Sequence, residues 1–415
     1  MSWVQGARVI VIGAGISGLS TSIRLARCGA VVRLVDMRGD PSAIAGNHPS
    51  FNLTLGVRGM RVLEALGIGG AVRRSAVFAL ERCLHRTDGT CEHERYGRAD
   101  EGIYSIRRSA LLGELLSLAQ QESNIELQFG ARATSASADG LVGLSCADGS
   151  NETAEFDAVI GADGVNSSVR GFMSQLAPSV LSSARPTGIY YSEIYVGLGA
   201  ECAGPLVHIW PRSPSFLISF PNRSGPTTVL VFIDRKGAQR PSKADVLRVA
   251  RAAGVGSGLV EADLGQIAQL RTVQSSSWSS GRLVVIGDAA HAIVPFLGQG
   301  ANAALEDSEV LLKAIKEAAD WTSAFERFEL VRRTEMDALG RMADRHFDEL
   351  SGGLVDPDRR QRTRLRAKLS VDNPGSFRST YNAVAFTHSS YLAAEQAYQE
   401  EEAQIDRLLT QGRNR

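Results

Sequence analysis

The 415-residue sequence lacks a charge imbalance, a long apolar run and a paired-cysteine motif, and each absence excludes a class of function. Lys plus Arg and Asp plus Glu both count 45, which removes the electrostatic footprint of a nucleic-acid binder. No stretch approaches the roughly 18 consecutive apolar residues of a bilayer-spanning helix. The N-terminus carries no basic segment followed by an apolar core of secretory type, and the final EEEAQIDRLLTQGRNR is too polar to anchor in a membrane. The expected protein is cytoplasmic, a monomer or homodimer, without nucleic-acid or membrane partners. The five cysteines (Cys28, Cys83, Cys91, Cys146 and Cys202) are odd in number and show no CxxC spacing. That pattern indicates thiols in a reducing compartment and argues against structural zinc. A hydrophobic content of 44% is that of an ordinary globular chain, long enough for two domains or one composite domain.

What is present is concentrated at the start. Arg8 to Ile12 is β-branched and apolar, as in a strand buried on both faces of a parallel sheet, and Gly13, Gly15 and Gly18 follow at once. The first glycine permits a tight turn, the second lets backbone approach a pyrophosphate, and the third lets the next helix lie against the strand. Helical spacing runs to Cys28-Gly29, and Val31 to Val35 reads as a second strand ending in Asp36, an acid placed to bind ribose hydroxyls. Strand, glycines, helix, strand and acid in this order predict a dinucleotide site. They do not separate FAD from NAD.

Further along, residues 37 to 60 read as a long loop over the nucleotide, with a helix around Gly59 to Leu66. Residues 76 to 96 read as a hairpin turning at Asp88-Gly89, and Ser109 to Gln120 as a helix with Ser109 as N-cap. Asn124 to Phe129, Gly140 to Cys146 and Ala158 to Ile160 are predicted strands. Four strand-like runs between 187 and 235 predict an antiparallel meander, residues 242 to 268 a helix, and Arg282 to Ile286 another buried strand. Helical spacing dominates from Asn302 to Ala318 and from Phe325 to Leu350. The basic stretch Asp356 to Lys368 reads as a solvated helix face or linker.

Two later motifs separate the cofactors. Gly161-Ala-Asp163-Gly164 follows one buried strand, and Gly287-Asp288 through Pro295-Phe-Leu-Gly298-Gln-Gly300-Ala-Asn302 follows another. With the N-terminal glycines these resemble the fingerprints of the class A flavin-dependent aromatic hydroxylases, over the whole chain. Asp288 at a strand end can accept from ribityl hydroxyls, and a helix beginning near Asn302 directs its positive end at the flavin N1–C2 edge. Phe51-Asn-Leu-Thr-Leu, Pro221-Asn222, Leu305-Glu-Asp and Tyr381-Asn-Ala-Val-Ala-Phe resemble the kynurenine 3-monooxygenase branch of that class. His291 lies within the motif backbone and reads as structural.

The resemblance implies an α/β fold: a Rossmann-like three-layer FAD domain of the para-hydroxybenzoate hydroxylase type from residues 1–75, 98–172 and 280–345. An antiparallel substrate domain would comprise 76–97 and 173–279, and a helical region 346–415. It implies non-covalent FAD held by Gly13, Gly15, Ile16, Ser17, Gly18, Asp36, Arg38, Arg108, Asp163, Asp288, Gly300, Ala301 and Asn302. Pro295, Phe296, Gly298 and Gln299 would line the reacting ring, and Arg82, Tyr96, Tyr391, Leu55 and Phe220 would bind the substrate. Arg82 and Tyr96 match, in their fourteen-residue separation, a pair that holds an amino-acid carboxylate in that family, and Tyr391 is aligned with the third member. The family's asparagine contact falls near Phe347, without a counterpart. The implied reaction takes NADPH or NADH and O2, and hydroxylates a small aromatic ring through a C4a-hydroperoxyflavin. The expected substrate is kynurenine or a related tryptophan-derived aryl amine, with another aromatic or indolic natural-product intermediate as the alternative. The WxWxIP signature of flavin halogenases is absent, and no feature speaks for a non-catalytic flavoprotein.

Overall fold

A computed structural model describes residues 2–39, 52–176, 182–197, 204–235, 239–256, 259–260, 264–352, 361–362, 365–366, 369 and 378–413. The β-branched apolar runs pair as a six-stranded sheet in the order Ser279–Ser280, Leu283–Val285, Ala158–Gly161, Arg8–Ile12, Val31–Asp36, Ile125–Phe129. Every pairing is parallel except that of Ser279–Ser280, which turns back along the edge. In this register Gly161 lies opposite both Ile12 and Val285. Three glycine-rich turns distant in sequence therefore leave the sheet side by side at its carboxyl edge, where such sheets bind ligands.

A seven-stranded sheet, in the order Ala268–Ser275, Ser182–Val196, Thr227–Asp234, Ser215–Phe220, Val207–Arg212, Glu81–His85, Cys91–Arg95, forms the second layer. It contains the predicted meander, and the predicted hairpin, with Gly89 at φ 87°, extends its edge through a parallel pairing with Val207–Arg212. Asn52 and Ser105 tie the layers together. Asn52 Nδ2 donates to Ser105 Oγ and to Asn222 Oδ1, both at 2.8 Å, and Ser105 Oγ donates to the Pro221 carbonyl at 3.0 Å. Both residues are buried, so each amide and hydroxyl needs these partners.

Several sequence expectations are corrected. The helix expected over 242 to 268 is only Lys243–Ala252, closed by Gly254 at φ 75°, and Ala268–Ser275 is an edge strand. Ser109 does not cap its helix; Arg107 occupies the cap position without a side-chain bond. The single strand read at 140 to 146 is the middle of a three-stranded meander flanked by Ala131–Ala136 and Asn151–Glu155. Polar residues on its exposed edges hid the flanking strands. Of the loop read at 37 to 60, residues 40–51 lie outside the described part; Asn52–Leu55 is a strand and Val57–Ala65 a helix. The basic stretch is described only at scattered positions. There Arg362 Nη1 donates to Glu402 at 3.0 Å, and Arg366 pairs with Glu401 and Glu402 of helix Tyr391–Arg413.

Glu306 and Asp307 sit side by side, buried, in helix Gly300–Glu317. Asp307 accepts from the Gly287 amide (2.7 Å), His291 Nε2 (2.6 Å) and Arg332 Nε (2.7 Å). Glu306 faces Arg58 Nη1 at 3.1 Å and Arg332 Nη2 at 3.2 Å. Burial pushes both acids up, and the surrounding cations more than reverse it, so both carboxyls titrate below their ordinary range. Stability from these acids is present above the ordinary carboxylate pKa of about 4 and lost as pH falls through the depressed native value. Asp307→Asn, which strands the His291 and Arg332 partners, is expected to lower unfolding free energy by about 3 kcal/mol at neutral pH. Urea denaturation from neutral to acid pH checks this: the gap between variant and wild type should narrow as acid protonates the wild-type carboxylate.

Candidate active site

At the first turn a Cβ on Gly13 would lie 2.4 Å from the Ala162 carbonyl oxygen, and one on Gly18 would lie 1.8 Å from that of Gly13. Only glycine fits either place. Gly15 differs: its Cβ would meet nothing nearer than the Ala162 oxygen at 4.0 Å, so its bare face opens away from the protein. Helix Ile16–Arg27, with Ile16, Ser17 and Gly18 in its first turn, has no side-chain cap and no first-turn acid. Its amides are left to an anion, the arrangement helix N-termini offer to phosphates. Asp36, at the end of the second strand, is buried and accepts from the Ala14 amide at 2.8 Å. Arg38 grips it through Nε (2.9 Å) and Nη2 (2.8 Å), while remaining largely exposed. Burial raises the Asp36 pKa, and the bonds from Arg38 and the Ala14 amide turn the net shift downward.

The second and third turns are tied by Arg170, which donates to the Ala289 carbonyl at 2.7 Å and the Val165 carbonyl at 2.8 Å. Asp163 Oδ2 accepts from the Ser168 amide at 2.7 Å, holding the start of helix Ser168–Leu176, while Oδ1 is buried without a partner among the described residues. Asp288 is exposed at this edge. Arg108 opens helix Arg108–Gln121 and lies near enough to Tyr191 that its charge opposes the burial and the Glu193 charge raising that phenol.

Pro295–Leu297 forms a single 3-10 turn ended by Gly298 at φ 64°, where a Cβ would strike Thr54 Oγ1 at 2.2 Å. Asn302 fastens the turn: its Oδ1 accepts from the Gly56 and Gly59 amides, and its Nδ2 donates to the carbonyls of Thr54 and Gly298. Helix Gly300–Glu317 begins here, again without a side-chain cap or first-turn acid, with Gly300 and Ala301 in its first turn. Gln299 is buried, and its Oε1 has no partner among the described residues.

Phe296 reaches from this turn into an aromatic cluster. It stacks on Phe347 at 4.5 Å and meets Phe216 and Phe232 edge-on, both at 5.3 Å. Phe220 belongs to the same cluster, as do Tyr96 and Phe386. Tyr96 stacks on Tyr381 at 5.6 Å, and the Arg82 guanidinium lies 6.0 Å from the Tyr96 ring. Arg82 Nε donates to Glu94 at 2.8 Å, and its side chain is 27% exposed. Burial pushes the Tyr381 phenol up to about 12 against the pull of Arg82, and raises Tyr96 well above its ordinary value. Both phenols are therefore neutral donors at physiological pH.

Two of the sequence-derived substrate residues stand elsewhere. Tyr391 is fully buried among the ion pairs, donating to Glu306 at 2.9 Å with Arg58 4.1 Å over its ring, because its hydroxyl needs an acceptor in that dry interior. Tyr381, ten residues earlier in the same C-terminal segment, is the tyrosine beside Tyr96. Leu55 packs in the main core rather than with Phe220, held there by the pairing of its strand with Ile103–Arg107. The motif Tyr381-Asn-Ala-Val-Ala-Phe contains the signal for Tyr381, but spacing does not choose between two tyrosines. His346, whose ring lies 5.8 Å from that of Tyr381, was also missed.

The model of a family described as "FAD binding domain" matches residues 6–324. The chain belongs to that family. It is 33% identical over 405 residues to kynurenine 3-monooxygenase of Stenotrophomonas maltophilia (strain K279a), covering 92% of this chain and 88% of that protein. It is 33% identical over 416 residues to kynurenine 3-monooxygenase of Xanthomonas euvesicatoria pv. vesicatoria (strain 85-10), covering 95% and 90%. The solved structure of Klebsiella pneumoniae HpxO complexed with FAD and uric acid shares the fold, with TM-score 0.69, 19% identity and 97% of each chain covered. The chain is an FAD-dependent monooxygenase of the para-hydroxybenzoate hydroxylase-like fold. Among the described residues no helix is long and apolar enough to cross a membrane.

The residues present fit FAD: a glycine face clear of the described residues, two uncapped helix starts, and buried oxygens of Asp163 and Gln299 without a partner among the described residues. Because a Cβ at Gly15 would meet nothing among the described residues nearer than the Ala162 oxygen at 4.0 Å, Gly15→Val is expected to fold normally yet lose most of its flavin. Flavin absorbance per chain, read beside the circular dichroism melt, checks this, and full flavin content in a folded variant would refute the assignment.

Proposed function

We propose that this monooxygenase hydroxylates the ring of a small aromatic amino acid, kynurenine or a related aryl amine, with NADPH or NADH as reductant. The observation that carries the reading is Arg82 beside the Tyr96–Tyr381 stack at the rim of an aromatic cluster that also contains Phe296. Glu94 holds the Nε edge of Arg82 and thereby orients its plane. The two Nη groups make no bond among the described residues, which suits a bidentate grip on a carboxylate.

On this reading FAD is held by the Gly13–Gly18 turn, Asp36, Arg38, Arg108, Asp163, Asp288 and the backbone of Gly300 to Asn302. Bound there, the flavin would supply the redox chemistry: two electrons from the nicotinamide and activation of O2, one oxygen atom going to the ring and the other leaving as water. Arg82 and the two phenols fix the carboxylate end, which aims the ring, and orientation of this kind is worth several kcal/mol of barrier. Phe296, Phe216, Phe232 and Phe347 exclude water around it. The amides opening helix Gly300–Glu317 favour negative charge at the Pro295 to Gly298 turn. The substrate's own aryl nitrogen supplies electron density to the carbon that is hydroxylated.

Arg82→Ala is expected to weaken kcat/KM for kynurenine by about 2 to 4 kcal/mol, the cost of removing one partner of a hydrogen-bonded, largely covered charge pair, with flavin content intact. Tyr381→Phe should cost on the order of 1 kcal/mol, and Tyr391→Phe should lower stability rather than substrate affinity. Steady-state kinetics with the decarboxylated analogue as control decide it: equal losses for both compounds would show that Arg82 does not hold the carboxylate. Phe296→Ala is expected to raise the hydrogen peroxide released per NADPH consumed, because water gains access to the reacting face.

A further inference from the structure

The hairpin that carries Arg82 bears a second set of groups on its other face. Side chains alternate along a strand, so Arg82 and Leu84 point one way and Cys83 and His85 the other. Leu84 belongs to the aromatic cluster; Cys83 and His85 look away from it. Register then gathers their neighbours. Cys91 is paired directly with His85 across the hairpin, and His208 with Cys83 on the adjoining strand.

The ligand atoms of Cys83, His85 and Cys91 lie within 4.8 Å of one another. His85 Nδ1 is 3.2 Å from Cys91 Sγ, and its other nitrogen, Nε2, is 2.9 Å from Nδ1 of His208. Cys83 and His208 are almost wholly buried, while Cys91 is exposed and opens the cluster to solution. The His85 ring is clamped flat on Trp210, with centroids 4.5 Å apart and planes 11° from parallel. A histidine with one nitrogen 3.2 Å from a cysteine sulfur, a second sulfur within 4.8 Å of the ligand set, and the other nitrogen hydrogen-bonded to a partner that sets its tautomer is the arrangement of a metal ligand with its outer support.

We propose that Cys83, His85 and Cys91 bind one zinc ion. Two sulfurs and one imidazole select a borderline-soft cation over magnesium or calcium, and zinc accepts such a set in tetrahedral geometry with a water as fourth ligand. Binding is a simple exchange: each thiol releases its proton to solvent, the two thiolates balance the dication, and no electron moves. The ion would pin Glu81–His85 to Cys91–Arg95 at the exposed end of the sheet. It would hold in place, from the opposite face, the strand that presents Arg82. The cysteine spacing in sequence argues against zinc because C-x-H followed by a cysteine across a turn matches no finger or ribbon pattern.

The test uses the full-length flavin-loaded protein, reduced, stripped with a chelator and given one equivalent of Zn2+ or Co2+ before desalting. Elemental analysis is expected to return about one metal per chain for wild type, with thiolate-to-Co2+ charge transfer in the difference spectrum. Cys91→Ser, at an exposed position where folding is not at issue, and His85→Ala should each retain little metal while keeping their flavin. His208→Gln, which leaves all the ligands in place, should bind about 10- to 100-fold more weakly. A wild-type chain that desalts free of metal overturns the proposal. So does retention of zinc by Cys91→Ser and His85→Ala at the wild-type level, or a Cys83–Cys91 disulfide in chain isolated under reducing conditions.

Discussion

A carboxylate that no water can reach must be met by donors from every side, and Asp307 imposes that requirement on the centre of the molecule. Its partners come from three segments: the Gly287 amide from the third glycine turn, His291 from the short helix after it, and Arg332 from helix Trp321–Gly352. Losing any one leaves a charge or a dipole unpaired in a dry interior, at a cost of several kcal/mol. The turn at Gly287, with φ 59° and no room for a Cβ beside Ser17, is thus held from below rather than by its own conformation. The neighbouring acid extends the constraint outward. Glu306 engages Arg58, Arg332 and Tyr391, and Arg58 in turn donates to the Val384 carbonyl of the C-terminal segment.

Asn302 does for the ring-binding turn what Asp307 does for the nucleotide edge. One amide side chain accepts two backbone N–H groups and donates to two carbonyls, so the Gly298 turn, the Thr54 strand and helix Val57–Ala65 cannot move independently. Such satisfaction matters more than the strength of any single bond, because each buried backbone group would otherwise stand alone. The start of helix Gly300–Glu317 is then aimed by contacts on three sides, while its first amides keep no side-chain cap. Rigid support with an uncommitted positive end is what an anionic ring requires.

How far the molecule could be read from sequence depends on whether a feature is local. The Gly13, Gly15 and Gly18 turn is written within one strand–helix unit, and steric demands at Gly13 and Gly18 leave no other residue possible. Asp163 and Asp288 follow buried strands whose composition alone marks them. Features that need two distant segments were misread. Tyr391 and Tyr381 share one segment and one residue type; which of them meets Tyr96 depends on where helix Tyr391–Arg413 is docked, and the Glu306 pocket decides that. Ala268–Ser275 is an edge strand with polar outward positions, so its pairing with Ser182–Val196 defines it better than its own pattern. The cysteines carried the weakest signal of all. Cys83 and Cys91 have no motif spacing, and only antiparallel register brings them to one imidazole.

That register also explains why the edge of the seven-stranded sheet can serve two ends at once. Strand Glu81–His85 is short and lies one strand from the free edge, where pairing alone gives little rigidity. A residue that must hold a charged group to within a fraction of an ångström is poorly served by such an edge unless something else fixes the strand. On the inner face, Leu84 and the aromatic cluster supply apolar packing, which resists separation but permits sliding. Sliding is resisted by directional contacts, and these sit on the outer face: His85 on Trp210, His85 to His208, and Cys91 to His85. Arg82 is therefore placed by the combination of a non-directional face and a directional one on the two sides of a single strand. A one-residue slip would exchange those faces and turn Cys83 and His85 toward the aromatic cluster where Leu84 now packs.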